Sequence, residues 1–231
     1  MMILTIQFAL IAMVIVVAGT VLTKAGDDIA EATGWGRLLI GSVLLAGATS
    51  LPELTVDLAA VRLQMADLAV GDLLGSSLMN LLILAALDLT HHSRGRMLSR
   101  MAAAHAMSGL LSIALMTLAG LALLTTENAS QWNFLEVHVG IWVIAIGYLL
   151  GVRMVFLDQR IALRAATGAT ESDDETHQPP SLVKSALRFA GAAIVILLVG
   201  PSLAETAGLI ADQSGLGKTF VGTTLVALST S

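Results

Sequence analysis

The sequence predicts an all-α, polytopic membrane protein: an inverted repeat with discontinuous helices, six complete spans and a truncated seventh. Three observations carry this expectation. Hydrophobic residues make up 56% of the 231 and charged residues 13%, a balance foreign to soluble domains. The apolar residues fall in runs near the length of about 20 that a bilayer core of about 30 Å requires. A stretch near residue 40 recurs in similar form near residue 220.

The spans follow in order at about 4–23, 38–61, 68–88, 101–124, 137–157 and 185–204, and a seventh begins near Thr219 and is cut by the end of the chain. The first has no basic residue before it and no small-residue cleavage site leading into a soluble domain, so it reads as a retained helix rather than a signal peptide. The longest loop, 158–184, carries Glu171-Ser172-Asp173-Asp174-Glu175 and Pro179-Pro180. Its acids lack the spacing of a calcium loop, and it reads as a solvated linker. The expected organisation is therefore a first repeat of five helices over 1–157, a cytoplasmic linker over 158–184 and the start of an inverted second repeat over 185–231.

Orientation comes from the basic residues. Loops one, three and five, with their edges, hold Lys24, Arg37, Arg94, Arg96, Arg100, Arg153, Arg160, Arg164, Lys184 and Arg188; the even loops hold Arg62 and Lys218. The odd loops are thus expected in the cytoplasm and the N-terminus outside. The expected location is the plasma membrane, or the inner membrane in a bacterium. The chain has no cysteine, which excludes disulfides and thiolate metal sites. No basic cluster is interleaved with aromatics, so no nucleic-acid partner is expected. His105 and Ser108 lie one turn apart without recognisable oxyanion donors, and His91-His92 sits beside Arg94 and Arg96. Neither supports an enzyme or a resident cofactor.

Sliding the chain by 181 residues lays Gly34–Ser50 over Gly215–Ser231 with seven of 17 positions identical, including the paired Thr-Ser. The same offset pairs span one with span six. An offset of five spans, an odd number, inverts the second copy, an architecture that recurs in secondary transporters with the site near the midplane.

Two polar stretches interrupt apolar segments at that depth. In Gly47-Ala48-Thr49-Ser50-Leu51-Pro52-Glu53, Pro52 has no amide hydrogen, so the Ala48 carbonyl loses its usual partner. Gly71-Asp72-Leu73-Leu74-Gly75-Ser76-Ser77 forms a second expected break. A carboxylate in such a segment costs roughly 2.5–3.5 kcal/mol on insertion scales, which marks Glu53 as functional. Glu53, Asp57 and Asp72 have no Lys or Arg within their segments. Thr49, Glu53 and Asp57 are spaced by four, as are Asp72, Ser76 and Asn80, so each trio forms one stripe on its helix. Hydroxyls, freed carbonyls and carboxylates make an all-oxygen set of the kind hard cations take. Gly71-x-x-x-Gly75 also reads as a helix-packing motif.

The residues Gly47–Leu54 and Ala69–Asn80 resemble the first alpha repeat of the calcium:cation antiporter superfamily, the sodium/calcium exchanger type, and Gly222–Ser231 resembles the opening of the second. The resemblance implies ten helices in two inverted halves and alternating-access exchange of Ca²⁺ for Na⁺ or H⁺. It implies ligands at Thr49, Ser50, Glu53, Ser76 and Asn80 with the Ala46 carbonyl, and at Thr230 and Ser231 with the Ala227 carbonyl. The implied partners are the lipid bilayer and inorganic cations. This chain departs from the family pattern at Asp72 and Ser77, where the family usually or often has Asn, and at Asp57, where a small or hydroxyl residue is common. Asp57 and Asp72 are therefore further candidates for metal or proton binding. The chain is also expected to be incomplete, ending inside the second repeat, with a C-terminal segment or partner subunit supplying the rest. The alternative reading is a truncated, non-transporting membrane subunit.

Overall fold

The computed structural model describes residues 1–33, 41–90, 100–125, 133–134, 137–166 and 180–231. The 34–40 part of the repeat, the His91-His92 pair with Arg94 and Arg96, and the Glu171–Glu175 run lie outside the described residues. In chain order the helices are α1 (Met2–Thr33), α2 (Gly41–Thr49), α3 (Leu51–Arg62), α4 (Ala66–Thr90), α5 (Arg100–Thr125), α6 (Val139–Ala166), α7 (Leu182–Ser214), α8 (Lys218–Val221) and α9 (Ala227–Thr230), with a π-helical stretch, Gly222–Val226, joining the last two. Two compact units result: Met1–His92 with Thr176–Ser231, and Ser93–Glu175.

In the first unit α1 and α7 pack along their lengths in opposite directions. The Met1 amino group reaches Gln213 Oε1 at 3.4 Å, and Ser185 Oγ donates to Asp28 Oδ2 at 3.3 Å. Their buried faces are rich in small residues, among them Ala18, Ala25, Gly26 and Ala30 on α1 and Ala192, Ala204, Ala207 and Ala211 on α7. Small side chains let backbones approach where lipid supplies no hydrophobic drive for association. Both helices run well past the apolar stretches 4–23 and 185–204. Hydropathy falls there, but the three-and-four spacing of buried residues continues through Leu22, Ala25, Gly26 and Ala30 while Lys24, Asp27 and Glu31 take the exposed face. α7 closes at Ser214 with Gly215 in the left-handed conformation at φ 73°.

Met2–Thr33, Ala66–Ile83 and Leu182–Ser214 are long and apolar enough to cross a membrane, and Gly109–Leu124 and Val139–Met154 are shorter apolar helices. The surface is apolar where a soluble protein's would be polar: Ile3, Leu10, Met13, Leu54, Leu73, Leu187 and Leu198 are each more than half exposed. Apolar surface of this extent marks a membrane-facing wall.

The two expected breaks differ in the structure. The one in 38–61 is a single residue, Ser50, at φ −90° and ψ −1°. Backbone bonds bridge it on both sides, from Ser50 N–H to the Ala46 carbonyl at 3.0 Å and from Leu54 N–H to the Ser50 carbonyl at 3.1 Å. The other break does not occur, and α4 is helical throughout Gly71–Ser77. Those glycines serve close packing instead. A Cβ on Gly75 would lie 2.6 Å from Thr223 Cα, and one on Gly222 would lie 3.0 Å from the Asp72 backbone nitrogen. The irregular backbone falls on the opposing π-helical stretch.

In the second unit α5 and α6 pack together, and a Cβ on Gly147 would lie 3.5 Å from Leu115 Cδ2. A two-residue antiparallel pairing, Asn133 with His138 and Phe134 with Val137, precedes α6. α6 continues to Ala166, so the helix overruns residue 157, the expected end of the first repeat.

Candidate functional site

A tight turn at Leu63–Met65, with Gln64 at φ 60°, folds α4 back on α3. This reversal decides which polar residues share a level. Thr49, Glu53 and Asp57 precede the turn at the same distances at which Asn80, Ser76 and Asp72 follow it. Antiparallel packing therefore sets Asp57 level with Asp72, and Glu53 level with Ser76, one turn further on.

A cavity of about 540 Å³ opens between these helices and is lined by Ser50, Glu53, Asp57, Ser76, Ser77 and Asn80, with Gly47 and three leucines. Five of the expected ligand positions thus meet in one space. A second cavity, about 330 Å³, collects Thr49, Thr230 and Ser231 with Ala48, Pro52 and Ser229. The expected set is therefore divided between two cavities rather than gathered in one. Sequence reasoning did not select Thr20, Thr23 and Lys24 of α1, which also line the second cavity. The available signal was their three-and-four spacing at the end of the first apolar run.

Asp72, Ser76 and Thr230 form a buried cluster, at 0%, 6% and 7% exposure respectively. Ser76 Oγ donates to Asp72 Oδ1 at 3.4 Å, and Thr230 Oγ1 lies 3.3 Å from both Asp72 Oδ1 and Ser76 Oγ. Asp57, at 7% exposure, packs nearby across the α3–α4 interface. Among the described residues, Glu53 Oε2, both Asp57 carboxyl oxygens and Asp72 Oδ2 are buried with no hydrogen-bond partner. Carboxylates buried in this way are paired, protonated or bound to an ion.

The backbone donors sort differently from expectation. The Ala46 carbonyl accepts Ser50 N–H at 3.0 Å and Thr49 Oγ1 at 3.1 Å. The Ala227 carbonyl accepts Ser231 N–H at 3.0 Å and Thr230 Oγ1 at 3.4 Å. Each already serves two donors. Pro52 deprives the Ala48 carbonyl of its helical donor, and Ala48 lies with Pro52 on the second cavity.

Apolar walls outside and acids with hydroxyls inside define a helical membrane protein. A family model described as sodium/calcium exchanger protein matches residues 3–166, α1 through α6. The chain belongs to that family, within the calcium:cation antiporter superfamily, whose members transport ions rather than catalyse reactions. Comparison with curated proteins and with solved structures returned no match.

Proposed function

We propose that the protein is a secondary active antiporter that exchanges Ca²⁺ for Na⁺ or H⁺ by alternating access. One observation carries the reading: the 540 Å³ cavity lined by Ser50, Glu53, Asp57, Ser76 and Asn80, with buried carboxylate oxygens that have no partner among the described residues. Its donors are all oxygen, and calcium takes about six to eight such ligands. Na⁺ or H⁺ competes for the same atoms, so one ion leaves as the other arrives. Glu53, in the first turn of α3, carries the charge that the cargo balances. Thr230 and Ser231, with Thr49, contribute from the second cavity.

The antiparallel packing of α1 and α7, which carry the two apolar stretches 181 residues apart in the sequence, supports an inverted repeat, in this reading one of six spans and the start of a seventh. The first repeat then runs through α6, a linker follows, and α7 opens the second repeat. In this reading the protein lies in the plasma or inner membrane with its N-terminus outside.

The test is ⁴⁵Ca²⁺ uptake into vesicles reconstituted with the full-length protein, driven by an outward Na⁺ gradient or an outward H⁺ gradient. Gradient-driven uptake is expected in one arm and names the counter-ion. Glu53→Gln is expected to reduce it to the level of empty vesicles while leaving expression intact. Uptake in neither arm, or uptake unchanged by Glu53→Gln, overturns the reading.

A further inference from the structure

We propose that Asp57 and Asp72 form a second cation position, for a divalent oxygen-preferring ion, occupied in addition to the position built on Glu53. The proposal rests on the antiporter reading and adds a site to it. α3 and α4 are antiparallel neighbours, and the two aspartates sit at the level nearest their connecting turn. Glu53 and Ser76 form the next level, one helical turn or about 6 Å away along the axis. The two levels are far enough apart for two ions.

Asp57 is 7% exposed and Asp72 0%. Of their four carboxyl oxygens, Asp72 Oδ1 alone has a hydrogen-bond partner among the described residues. The Ser76 and Thr230 hydroxyls on that oxygen orient Asp72, leaving its Oδ2 and both Asp57 oxygens open. Two ionised carboxylates this close in an apolar interior repel, and either a proton shared between Asp57 and Asp72 or a bound cation relieves that repulsion.

The described basic side chains of this unit are placed elsewhere. Lys24 lines the second cavity, and Lys218 pairs with Asp212 at 3.4 Å. Arg62 lies on a separate groove with Glu205, and Lys184 and Arg188 are on exposed positions of α7. The remaining acids of this unit whose side chains are described, Asp27, Glu31 and Asp67, are exposed, and Asp28 accepts from Ser185. Among the described residues, the open oxygens therefore face no basic side chain.

Asp57 also lines the 540 Å³ cavity, which gives an ion a way in. Two carboxylates match the charge of one divalent cation, and their oxygens are the hard donors such an ion takes. Glu53 keeps its own charge for a further cation. Both positions can then be filled together.

The test uses Ca²⁺ as the probe on the purified full-length protein in detergent. Equilibrium ⁴⁵Ca²⁺ binding is measured for the wild type, Glu53→Gln and the Asp57→Asn/Asp72→Asn double variant. The wild type is expected to bind two Ca²⁺ per chain, and each variant one. Wild-type stoichiometry in the double variant overturns the second position and leaves the antiporter reading intact. Loss of all binding in both variants means one shared ion and also overturns it. A wild type that binds no Ca²⁺ overturns both proposals. A parallel measurement needs no variant: the wild type saturated with Mn²⁺ should show two magnetically coupled ions. A single uncoupled Mn²⁺ signal overturns the second position.

Discussion

Thr230 and Asp72 are 158 residues apart in the chain, yet the Thr230 hydroxyl lies 3.3 Å from Asp72 Oδ1 inside the first unit. Its single proton has competing acceptors in the Val226 and Ala227 carbonyls, at 3.2 and 3.4 Å. Whichever acceptor holds the proton, the oxygen keeps lone pairs for a cation. The contact also joins the helix after the π-helical stretch to the acid-bearing stripe of α4. An ion that draws on Asp72 therefore acts on both elements, one from each expected repeat.

Thr230→Val tests that link. The substitution keeps the shape and deletes the hydroxyl. A hydrogen bond to a charged group contributes about 1.5–3 kcal/mol. Calcium affinity in equilibrium binding is therefore expected to fall by about tenfold or more, and Thr230→Ser is expected to restore most of it. Equal affinity in the wild type and Thr230→Val would remove Thr230 from the site.

The close approach of α4 to the π-helical stretch predicts opposite behaviour at two glycines. Gly75→Ala places a methyl 2.6 Å from Thr223 Cα and 2.9 Å from Ala227 Cβ. Overpacking of this kind costs about 1–3 kcal/mol. Gly47→Ala meets nothing within 4 Å and gains helix propensity. Thermal melts in detergent are expected to show Gly75→Ala lowered and Gly47→Ala unchanged or raised.

Pro52→Ala returns an N–H to the turn that follows Ser50. The Ala48 carbonyl then regains its donor, and α2 and α3 can merge into one helix. The expected result is an equal or higher melting temperature with slower gradient-driven Ca²⁺ uptake. Uptake at the wild-type rate would show that the freed carbonyl has no part in transport.

The orientation inferred from the basic residues is tested with single cysteines in this cysteine-free chain. Gln64, at the α3–α4 turn, and Ser181, just before α7, are both exposed. In right-side-out vesicles an impermeant thiol reagent is expected to label Gln64→Cys and spare Ser181→Cys. The reverse pattern would invert the topology.

Composition and periodicity by themselves determined the membrane class, the helical content and the two polar stripes. Those properties are local: apolar run length, the cost of a carboxylate in lipid and the four-residue repeat can each be read within one segment. The pairing of Asp57 with Asp72 and of Glu53 with Ser76 was nearly legible too, since it needs only the reversal at Gln64. Tertiary structure decided the rest. Gly71-x-x-x-Gly75 reads both as part of a break and as a packing motif, and the structure chooses the second: α4 stays helical and the two glycines admit the backbones of Thr219 and Thr223. The split of the expected ligands between two cavities, and the entry of Thr20, Thr23 and Lys24 into one of them, depend on how α1 and α9 lie beside α2 and α3. Contacts between segments so far apart in the chain leave no local period to read, because they follow from which small residues allow two backbones to meet.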